Sequence, residues 1–435
     1  MMNYDEAVEW LYVQLPAFHS AGAGAYKPGL QHTLDISAAF GNPHLDFPVI
    51  HVAGTNGKGS TSHTLAAILH QCGYRTGLYT SPHLLDFRER MRVDGKMIPK
   101  ERVVSFVEKV KEMNLDFAPS FFEMTTIMAF KYFSEEKVDV AVVEVGLGGR
   151  LDSTNIVNPR LSIITNISLD HTDLLGDTRA AIAAEKAGII KRGVPVVIGE
   201  SDEETTPVFN RFAGDMQAPI VYAEQTPKYS TVHRKDFFGG IAYEGTRYGN
   251  LVGELSGECQ TRNTATILTA LEQLEQLGYN ITPEAVKEGF SHVCRLTGLM
   301  GRWMKLSAEP LAVCDTGHNE GGWHHIVRQL NEFHGAKRLV LGFVGDKDVR
   351  SIMSLIAGVK DCRLILTAPA IPRAMELSRV TEAATEAGLE WEVTEGVAEA
   401  YKKALTQWHQ GEMIYVGGST YVVAELLEAV EFGTD

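Results

Sequence analysis

The chain has 435 residues, of which 44% are hydrophobic and 22% charged, and its formal net charge is −15. A chain of this length predicts more than one domain, since a domain takes roughly 100–200 residues. The acidic charge argues against nucleic-acid binding as the main function. No apolar run reaches the roughly 18 residues that a membrane helix needs, so no membrane segment is expected.

The amino terminus and the cysteines both indicate a cytoplasmic protein. The first residues, MMNYDEAVEWLY, are acidic and lead into no apolar core of the signal-peptide type. The cysteines are widely spaced, include no CxxC pair and are expected to be reduced thiols. They are Cys72, Cys259, Cys294, Cys314 and Cys362.

Short apolar runs alternate with helical patterns along the first half of the chain. A strand is predicted for FPVIHVAG, and a helix ended by Gly73 for STSHTLAAILHQCG. Strands buried on both faces are predicted for VDVAVVEVG, RLSIITNIS and VPVVIGE. This alternation predicts a mostly parallel sheet with helices on both faces. The segment from about Thr226 to Glu258 mixes polar and aromatic residues and predicts an antiparallel addition to the first domain.

The alternation pauses around CRLTGLMGRWMKL, and a second series then begins. Strands are predicted for LAVCDTG, RLVLGFVGDKD, CRLILTAP and EMIYVGG, and a helix for VAEAYKKALTQW. We place the boundary between Leu296 and Gly301. This gives a first domain over residues 1–297 and a smaller α/β domain over residues 298–435.

A glycine-rich stretch, AGTNGKGST, lies between the first predicted strand and its helix. Gly54, Gly57 and Gly59 let the backbone turn tightly and approach an anion. The helix N-terminus offers N–H groups to phosphate, and Lys58 adds a positive charge. The stretch departs from the pattern G-x-x-x-x-G-K-[ST], because Val52 and Gly59 replace its first glycine and its hydroxyl residue. An ordinary tight turn is the alternative.

In the usual pattern the hydroxyl residue after the lysine ligates Mg²⁺. Because Gly59 stands at that position, other groups are needed to hold Mg²⁺ beside the loop. Ser60 lies one residue late, and Ser81 follows a short predicted strand in LYTSPHL. Glu144 ends a buried apolar run, where a carboxylate is costly unless it is paired or bound to a metal. A salt bridge between Glu144 and Arg150 is the structural alternative.

Further candidates follow the next strand. Asp170 and His171 lie just beyond RLSIITNIS, and strand ends of one parallel sheet form a ligand-binding crevice. Glu144 and His171 can therefore converge on one metal with the glycine-rich loop. Lys186, in AAEKAGIIKRG, is predicted within a helix that ends near Gly193. Taken alone, this lysine would be interpreted as a solvated side chain.

Together these motifs resemble the Mur ligase superfamily, and within it folylpolyglutamate synthase and dihydrofolate synthase. AGTNGKGS, YTSPHL, FFEMTTIMAF, EVGLGGRLDSTN, SLDH and EKAGIIK follow in the order of that family. The match continues at Arg262–Asn263, Gly301–Arg302, Asp315–Asn319, Gly345–Asp348 and Gly417–Ser419. The resemblance spans nearly the whole chain. It implies a Mur-ligase-like P-loop ATPase domain over 1–297 and a Rossmann-like glutamate ligase domain over 298–435.

The resemblance also implies roles for individual residues. It makes the glycine-rich loop an intact P-loop, and it implies two Mg²⁺ ions and a carbamate formed by CO₂ on Lys186. Catalytic roles are implied for Lys58, Lys186 and His171, and substrate contacts for His318 and Ser419. ATP binding is implied for Gly54, Thr55, Asn56, Gly57, Lys58, Gly59, Ser60, Asn263, Arg302 and Asp315. The metal ligands implied are Ser81, Glu144, His171 and Lys186.

Two features concern specificity. The family commonly has D-x-A-H-N-P where this chain has D-T-G-H-N-E, from Asp315 to Glu320. The segment GAYKPGLQHTLDI, residues 24–36, resembles the pterin-side loop of the family and leaves the pterin substrate open.

The resemblance implies ATP-dependent ligation of L-glutamate to a folate or dihydropteroate carboxylate through an acyl phosphate. A Mur-type cell-wall ligase is one alternative, although only about 50 residues precede the P-loop, too few for the extra domain of those enzymes. A P-loop NTPase acting as a regulatory module is the other. Small-molecule substrates and a monomer are expected, with no nucleic-acid or membrane partner.

Overall fold

The structure is a computed structural model that describes residues 2–15, 29–113, 116–234, 237–345 and 347–432. Its first sheet contains β1 Val49–Ala53, β2 Thr76–Tyr79, β3 Met91–Val93, β4 Lys96–Met97, β5 Val140–Glu144, β6 Leu161–Ile164, β7 Val196–Ile198 and β8 Ile220–Tyr222. The strands lie in the order β4-β3-β2-β5-β1-β6-β7-β8. From β2 to β8 they run parallel, while β3 and β4 form an antiparallel edge.

The central strands are buried on both faces, as the apolar runs predicted. Val140 and Val142 of β5 pack into one hydrophobic cluster, whereas Ala141 and Val143 pack into another on the opposite face. This alternation follows from the two-residue period of a strand. The helices Lys58–Gln71 and Gln260–Gln276 contribute to the first cluster, and Tyr4–Gln14 and Phe121–Glu135 to the second.

A separate antiparallel sheet is formed by β9 Thr231–Arg234, β10 Ile241–Thr246 and β11 Gly249–Gly253. The antiparallel prediction for this segment is therefore confirmed. The strands make their own sheet rather than extending the first one, and Ile241, Tyr243 and Leu251 pack in the same cluster as the central strands.

The third sheet contains β12 Met304–Ala308, β13 Leu311–Asp315, β14 Lys337–Leu341, β15 Cys362–Leu366, β16 Trp391–Val393 and β17 Met413–Gly417. Its order is β12-β13-β17-β14-β15-β16, and only β12 is antiparallel to its neighbour. The chain enters it after the helix Val293–Thr297, which ends at the left-handed Gly298. The proposed boundary at 297/298 falls in this connection and stays a prediction.

Helices cover the sheets. In the described residues they are Tyr4–Gln14, Gln31–Ala39, Lys58–Gln71, Lys100–Glu112, Phe121–Glu135, Thr172–Leu175, Arg179–Ala187, Thr206–Asp215, Gln260–Gln276, Pro283–Ser291, Val293–Thr297, Glu320–Glu332, Val349–Ile356, Leu377–Glu386, Val397–Thr406 and Thr420–Phe432. None of these helices is long and apolar enough to cross a membrane. The five cysteines are free thiols.

The prediction for the helix that carries Lys186 was wrong at its end. The helix stops at Ala187 rather than near Gly193. Its last turn tightens, because the N–H of Ile189 bonds to the carbonyl of Lys186 at 3.2 Å. Gly188 then packs closely on Arg150, so that a Cβ at Gly188 would lie 2.4 Å from the Arg150 Cα atom. Lys186 is thereby placed in the final turn.

The close packing around β7 generates a stability prediction. A Cβ at Gly199 would lie 2.3 Å from the Thr165 carbonyl oxygen and 2.4 Å from the Thr266 hydroxyl oxygen. We expect Gly199→Ala to lower the free energy of unfolding by ~1–3 kcal/mol, the cost of overpacking. Gly214 lies exposed in the helix Thr206–Asp215, and a Cβ there would have no neighbour within 4 Å. Gly214→Ala is the matched control and should gain up to ~1 kcal/mol from helix propensity. Urea unfolding of both variants measures this difference, and equal effects would contradict it.

Candidate active site

A cavity of about 410 Å³ opens where the first sheet faces the third. It lies beyond the carboxyl ends of β1, β5 and β6, as expected for ligand sites in parallel sheets. All the site residues named from the sequence line it. They are Gly54, Thr55, Asn56, Gly57, Lys58, Gly59, Ser60, Ser81, Glu144, His171, Lys186, Asn263, Arg302, Asp315, His318 and Ser419. Their shared location is observed, while their individual roles stay predictions.

The P-loop depends on two glycines with positive φ. Gly54 has φ +147°, and a Cβ there would lie 1.8 Å from the Thr165 hydroxyl oxygen. Gly57 has φ +82°, and a Cβ there would lie 2.3 Å from the Asn263 side-chain oxygen. The helix Lys58–Gln71 begins immediately afterwards, so its first N–H groups face the cavity edge. The Lys58 ammonium donates to the carbonyls of Gly54 and Thr55 at 3.0 and 3.1 Å.

Gly59 explains the departure from the usual P-loop pattern. A Cβ at this position would lie 3.3 Å from Nη2 of Arg302 and 3.9 Å from Oε2 of Glu144. The space that a hydroxyl side chain would enter thus borders a cation from the second half of the chain. Ser60 is buried, and its hydroxyl accepts a hydrogen bond from Gln260 at 3.2 Å. The displaced hydroxyl is therefore already hydrogen-bonded within the protein.

Glu144 ends β5 with its carboxylate buried, only 4% exposed. Its Oε2 accepts the backbone N–H of Ser81 at 3.2 Å. Burial raises the pKa of Glu144, and the charges of Lys58 and Arg302 oppose this shift. The alternative pairing with Arg150 is wrong, because Arg150 bonds to Glu185 at 2.8 Å. Among the described residues no cation lies within ion-pair distance of Glu144.

Lys186 is buried and only 5% exposed, so the solvated alternative is wrong. Burial, followed by the charge of Lys58, lowers the pKa of Lys186 to about 7. Asp170 and Asp152 oppose that shift. The shift favours the neutral amine, which is the form that reacts with CO₂.

Asp170, the residue before His171, contacts side chains from the second half of the chain. Its carboxylate contacts the Lys347 ammonium at 2.5 Å and the Asn319 amide at 2.9 Å, both from the second half of the chain. Burial opposes ionisation of Asp170, but the hydrogen bond with His318 and the charges of His171 and Lys347 outweigh it and hold the pKa well below its usual value. Asp170 thus connects the two halves at the cavity.

A second connection joins the P-loop directly to the opposite domain. The amides of Asn56 and Asn319 exchange hydrogen bonds of 3.1 and 3.0 Å. Asn319 also caps the helix Glu320–Glu332 by accepting from the N–H of Gly322 at 2.9 Å. Sequence reasoning gave no role to Lys347 or Asn319 and only ATP binding to Asn56, although all three lie in motifs that carried the resemblance.

Arg302 and Asp315 are fixed within the connection to the third sheet. The Asp315 carboxylate accepts the N–H groups of Trp303 and Gly317 at 2.7 and 2.8 Å, while Arg302 donates to the Thr316 hydroxyl. Burial raises the pKa of Asp315, and Arg302 opposes the shift. These contacts hold the guanidinium toward the P-loop.

The cavity also has apolar lining residues that sequence reasoning did not single out. Phe121, Phe122, Leu147, Leu151 and Leu175 line it. Ser120, Asp152 and Ser153 add polar residues to the lining. FFEMTTIMAF and LDSTN, which hold several of these residues, were the available signal. An aromatic wall beside a few polar groups suits a flat heteroaromatic ligand.

The donor set fits Mg²⁺, which prefers hard oxygen ligands. Ser81 supplies a hydroxyl and Glu144 a buried carboxylate beside the P-loop. Among the described residues no group of three His, Cys, Asp or Glu side chains could hold a metal ion. The set expected from the sequence contains only two residues of these types, Glu144 and His171, beside Ser81 and Lys186, and it stays a prediction.

Comparison with known proteins agrees with this geometry. The Mur ligase middle domain matches residues 52–264, and the Mur ligase glutamate ligase domain matches residues 301–420. Folylpolyglutamate synthase of Lacticaseibacillus casei is 31% identical over 449 residues, covering 99% of both chains. The chain belongs to the folylpolyglutamate synthase family of Mur ligases. The dihydrofolate synthase/folylpolyglutamate synthase of Bacillus subtilis is 30% identical, covering 97% of this chain and 98% of that one.

Solved structures of this Mur ligase family share the whole fold. E. coli FolC in complex with DHPP and ADP superposes with a TM-score of 0.85 at 28% identity, covering 100% of this chain and 99% of that chain. Folylpolyglutamate synthase of Thermotoga maritima gives a TM-score of 0.80 at 32% identity, covering 99% and 97%. The predicted fold class, a P-loop domain with a smaller α/β domain, is confirmed.

The D-T-G-H-N-E departure of this Mur ligase lies in a closely packed place. A Cβ at Gly317 would lie 2.4 Å from Cδ1 of Ile326, so an alanine there would require the end of this isoleucine side chain to move. Glu320 begins the helix Glu320–Glu332, where a negative charge is favourable. Of the segment 24–36 that resembles the pterin-side loop, residues 24–28 lie outside the described residues.

The burial of Glu144 separates a ligand role from a structural one. The raised pKa of Glu144 means that the folded state binds the carboxyl proton more tightly than the unfolded state does. Protonated Glu144 therefore stabilises the fold at pH values below its unfolded-state pKa, and this stabilisation is lost as the pH rises through its folded-state pKa. We expect Glu144→Gln at pH 7, without metal, to be at least as stable as the native chain, while Mg²⁺-dependent turnover falls ~10²-fold or more. Paired melting curves and activity assays measure both. An early-melting variant whose folded fraction stays active would favour a structural role.

Proposed function

We propose that this chain ligates L-glutamate to the carboxylate of a folate, of dihydropteroate, or of both, at the expense of ATP. The observation that carries the proposal is that one cavity is lined by a P-loop, by the aromatic residues Phe121 and Phe122 and by cationic groups of the second domain. The E. coli relative whose structure holds DHPP and ADP supports the same assignment. ATP first phosphorylates the carboxylate, giving ADP and an acyl phosphate. The glutamate amine then attacks the acyl carbon and phosphate leaves.

Charge neutralisation is the main contribution of the chain to the first step. An anionic carboxylate approaches an anionic γ-phosphate, so positive groups must offset the repulsion. Lys58 lies at the helix N-terminus, and Arg302 reaches the same place from the second domain. Ser81, Glu144 and His171 would hold one Mg²⁺, and a carbamate on Lys186 a second, and these ions would supply further positive charge at the phosphates.

The second step requires protection of the acyl phosphate from water. The Asn56–Asn319 amide pair and the Asp170–Lys347 contact join the two domains over the cavity. Glutamate carries two carboxylates, which suit donors on the second-domain side. We assign its binding to His318 and Ser419, with Lys347 as an added cation. Asn263, Arg302 and Asp315 are assigned to the nucleotide. A cytoplasmic location and a monomeric state belong to the proposal as well.

The deciding experiment is an ADP-release assay with L-glutamate and three separate acceptors: dihydropteroate, tetrahydrofolate and a cell-wall nucleotide-peptide precursor. We expect release with one or both pterin acceptors, and a product one glutamate heavier by mass spectrometry. Release with the cell-wall precursor alone would favour a cell-wall ligase. ADP formation without any amide product would favour a regulatory NTPase.

The burial of Lys186 leads to a prediction about carbamylation. We expect Lys186→Ala to retain nucleotide binding but to lose ~10²–10³-fold in turnover, since one ligand at the phosphoryl-transfer centre is removed. Added acetate should restore part of the rate by occupying the vacated position. Lys402→Ala, which changes an exposed helix lysine, is the control.

Carbon-13 NMR with labelled bicarbonate gives a readout besides activity. A carbamate resonance is expected from the native chain and from Lys402→Ala, and none from Lys186→Ala. Full activity of Lys186→Ala, or a carbamate signal that persists in it, would refute the assignment.

A further inference from the structure

A second, smaller cavity of about 50 Å³ adjoins the main one. The two share a wall that includes Gly59, Ser81, Glu144 and Arg302. This side cavity therefore begins beside the phosphate end of the P-loop. Its remaining polar lining includes Arg92, His63 and Glu89, none of which has a part in the reaction as assigned above.

Arg92, on β3, is the unusual group in the side cavity. It is only 7% exposed. One guanidinium nitrogen donates to the carbonyl of Gly95 at 3.1 Å, but Nε is buried without a hydrogen-bond partner. Among the described residues no carboxylate lies within ion-pair distance of Arg92. A buried cation in this condition is costly, because its lost hydration is not replaced.

The acidic residues nearest to Arg92 are already engaged. Burial lowers the pKa of Arg92, and Glu89 and Asp86 oppose the shift only through their charge. The Glu89 carboxylate accepts three backbone N–H groups, and Asp86 pairs with Arg88 at 2.7 Å. The three donors to Glu89 are Leu84, Leu85 and Asp86, at 2.8–2.9 Å.

The rest of the side cavity suits an oxyanion. Gly298 has φ +68°, and a Cβ there would lie 2.8 Å from Nη2 of Arg92, so the guanidinium in this position lies directly against the glycine. His63 is held neutral, since burial and then the charges of Arg92 and Arg302 lower its pKa to about 3. Glu144 is the one other acid on the wall, and Lys58 and Arg302 offset its charge.

We propose that the side cavity binds inorganic phosphate, the product that leaves the main site, with Arg92 as its principal ligand. Guanidinium groups match phosphate oxygens in geometry and charge. The volume holds about three or four water-sized positions, enough for one tetrahedral oxyanion and too little for a nucleotide. Gly59 and Ser81 line both cavities, so the side cavity adjoins the place where phosphate is formed. The product role rests on the proposed function, whereas phosphate binding itself does not.

Calorimetric titration of inorganic phosphate into the ADP-saturated protein tests the proposal. We expect saturable binding to the native chain. Arg92→Met should weaken the affinity at least about tenfold, the effect of losing roughly 1.4 kcal/mol. Arg92→Lys, which keeps the charge without the planar fork, should fall between them. Arg179→Met, at a partly exposed arginine far along the sequence, controls for loss of charge.

Thermal unfolding shows whether the variant is folded and adds a second readout. Without phosphate, Arg92→Met should melt no earlier than the native chain, because it removes an unpaired buried cation. A purely structural arginine would instead give a clearly lower melting temperature. Should the variant not fold, a crystal structure of the native chain with ADP and phosphate replaces it, and tetrahedral density beside Arg92 is expected.

Unchanged phosphate affinity in folded Arg92→Met, or an empty side cavity in that crystal, would overturn the proposal. The amide assay separates the two proposals. Arg92-dependent phosphate binding without amide synthesis would refute the proposed function and the product role while leaving the anion site. Amide synthesis without Arg92-dependent binding would refute the anion site alone.

Discussion

The active site depends on the register of β1 between β5 and β6. Val52 lies opposite Glu144 on one side, and Ala53 lies opposite Ile164 on the other. The P-loop, the buried carboxylate and Thr165 therefore leave the sheet at the same level. A slip of one residue would turn Glu144 to the other face, since side chains alternate along a strand. The close approach of Gly54 to Thr165, which follows β6, accompanies this register.

Positive charge is concentrated at the cavity, although the chain as a whole is acidic. A protein with a net charge of −15 repels polyphosphates at long range, so local cations must supply the attraction. Lys58, Lys186, Arg302 and Lys347 all line one cavity, and Lys186 and Lys347 are buried. Removal of water strengthens each of their interactions with an anion. Burial also explains why Lys186 has a lowered pKa. The pKa of Asp170 stays low despite burial, because the hydrogen bond with His318 and the charges of His171 and Lys347 outweigh it.

Local sequence patterns were sufficient to predict the strands. They were also sufficient to single out Glu144, because a carboxylate at the end of an apolar run is unusual and is visible within a short window of sequence. Lys186 could not be distinguished from a solvated lysine in that way, and only the family resemblance marked it. The predicted end of this helix was wrong because the apolar residues continue through Ile189 and Ile190. In the structure the helix stops at Ala187, where the next residue, Gly188, lies in close contact with Arg150. Such a contact has no signature within the helix itself.

The connections between the domains lay beyond sequence reasoning for the same physical reason. Asn56 and Asn319 are 263 residues apart, and Asp170 and Lys347 are 177 apart. Either asparagine alone has an ordinary local explanation, as a loop or helix-capping residue. In the structure the Asn319 side-chain oxygen accepts from both Gly322 and Asn56, while its nitrogen donates to Asn56 and Asp170. One amide therefore couples the start of a second-domain helix to the P-loop and to the acid beside His171. The two domains cannot separate without breaking these contacts, so the closed cavity and the aligned P-loop are parts of one arrangement.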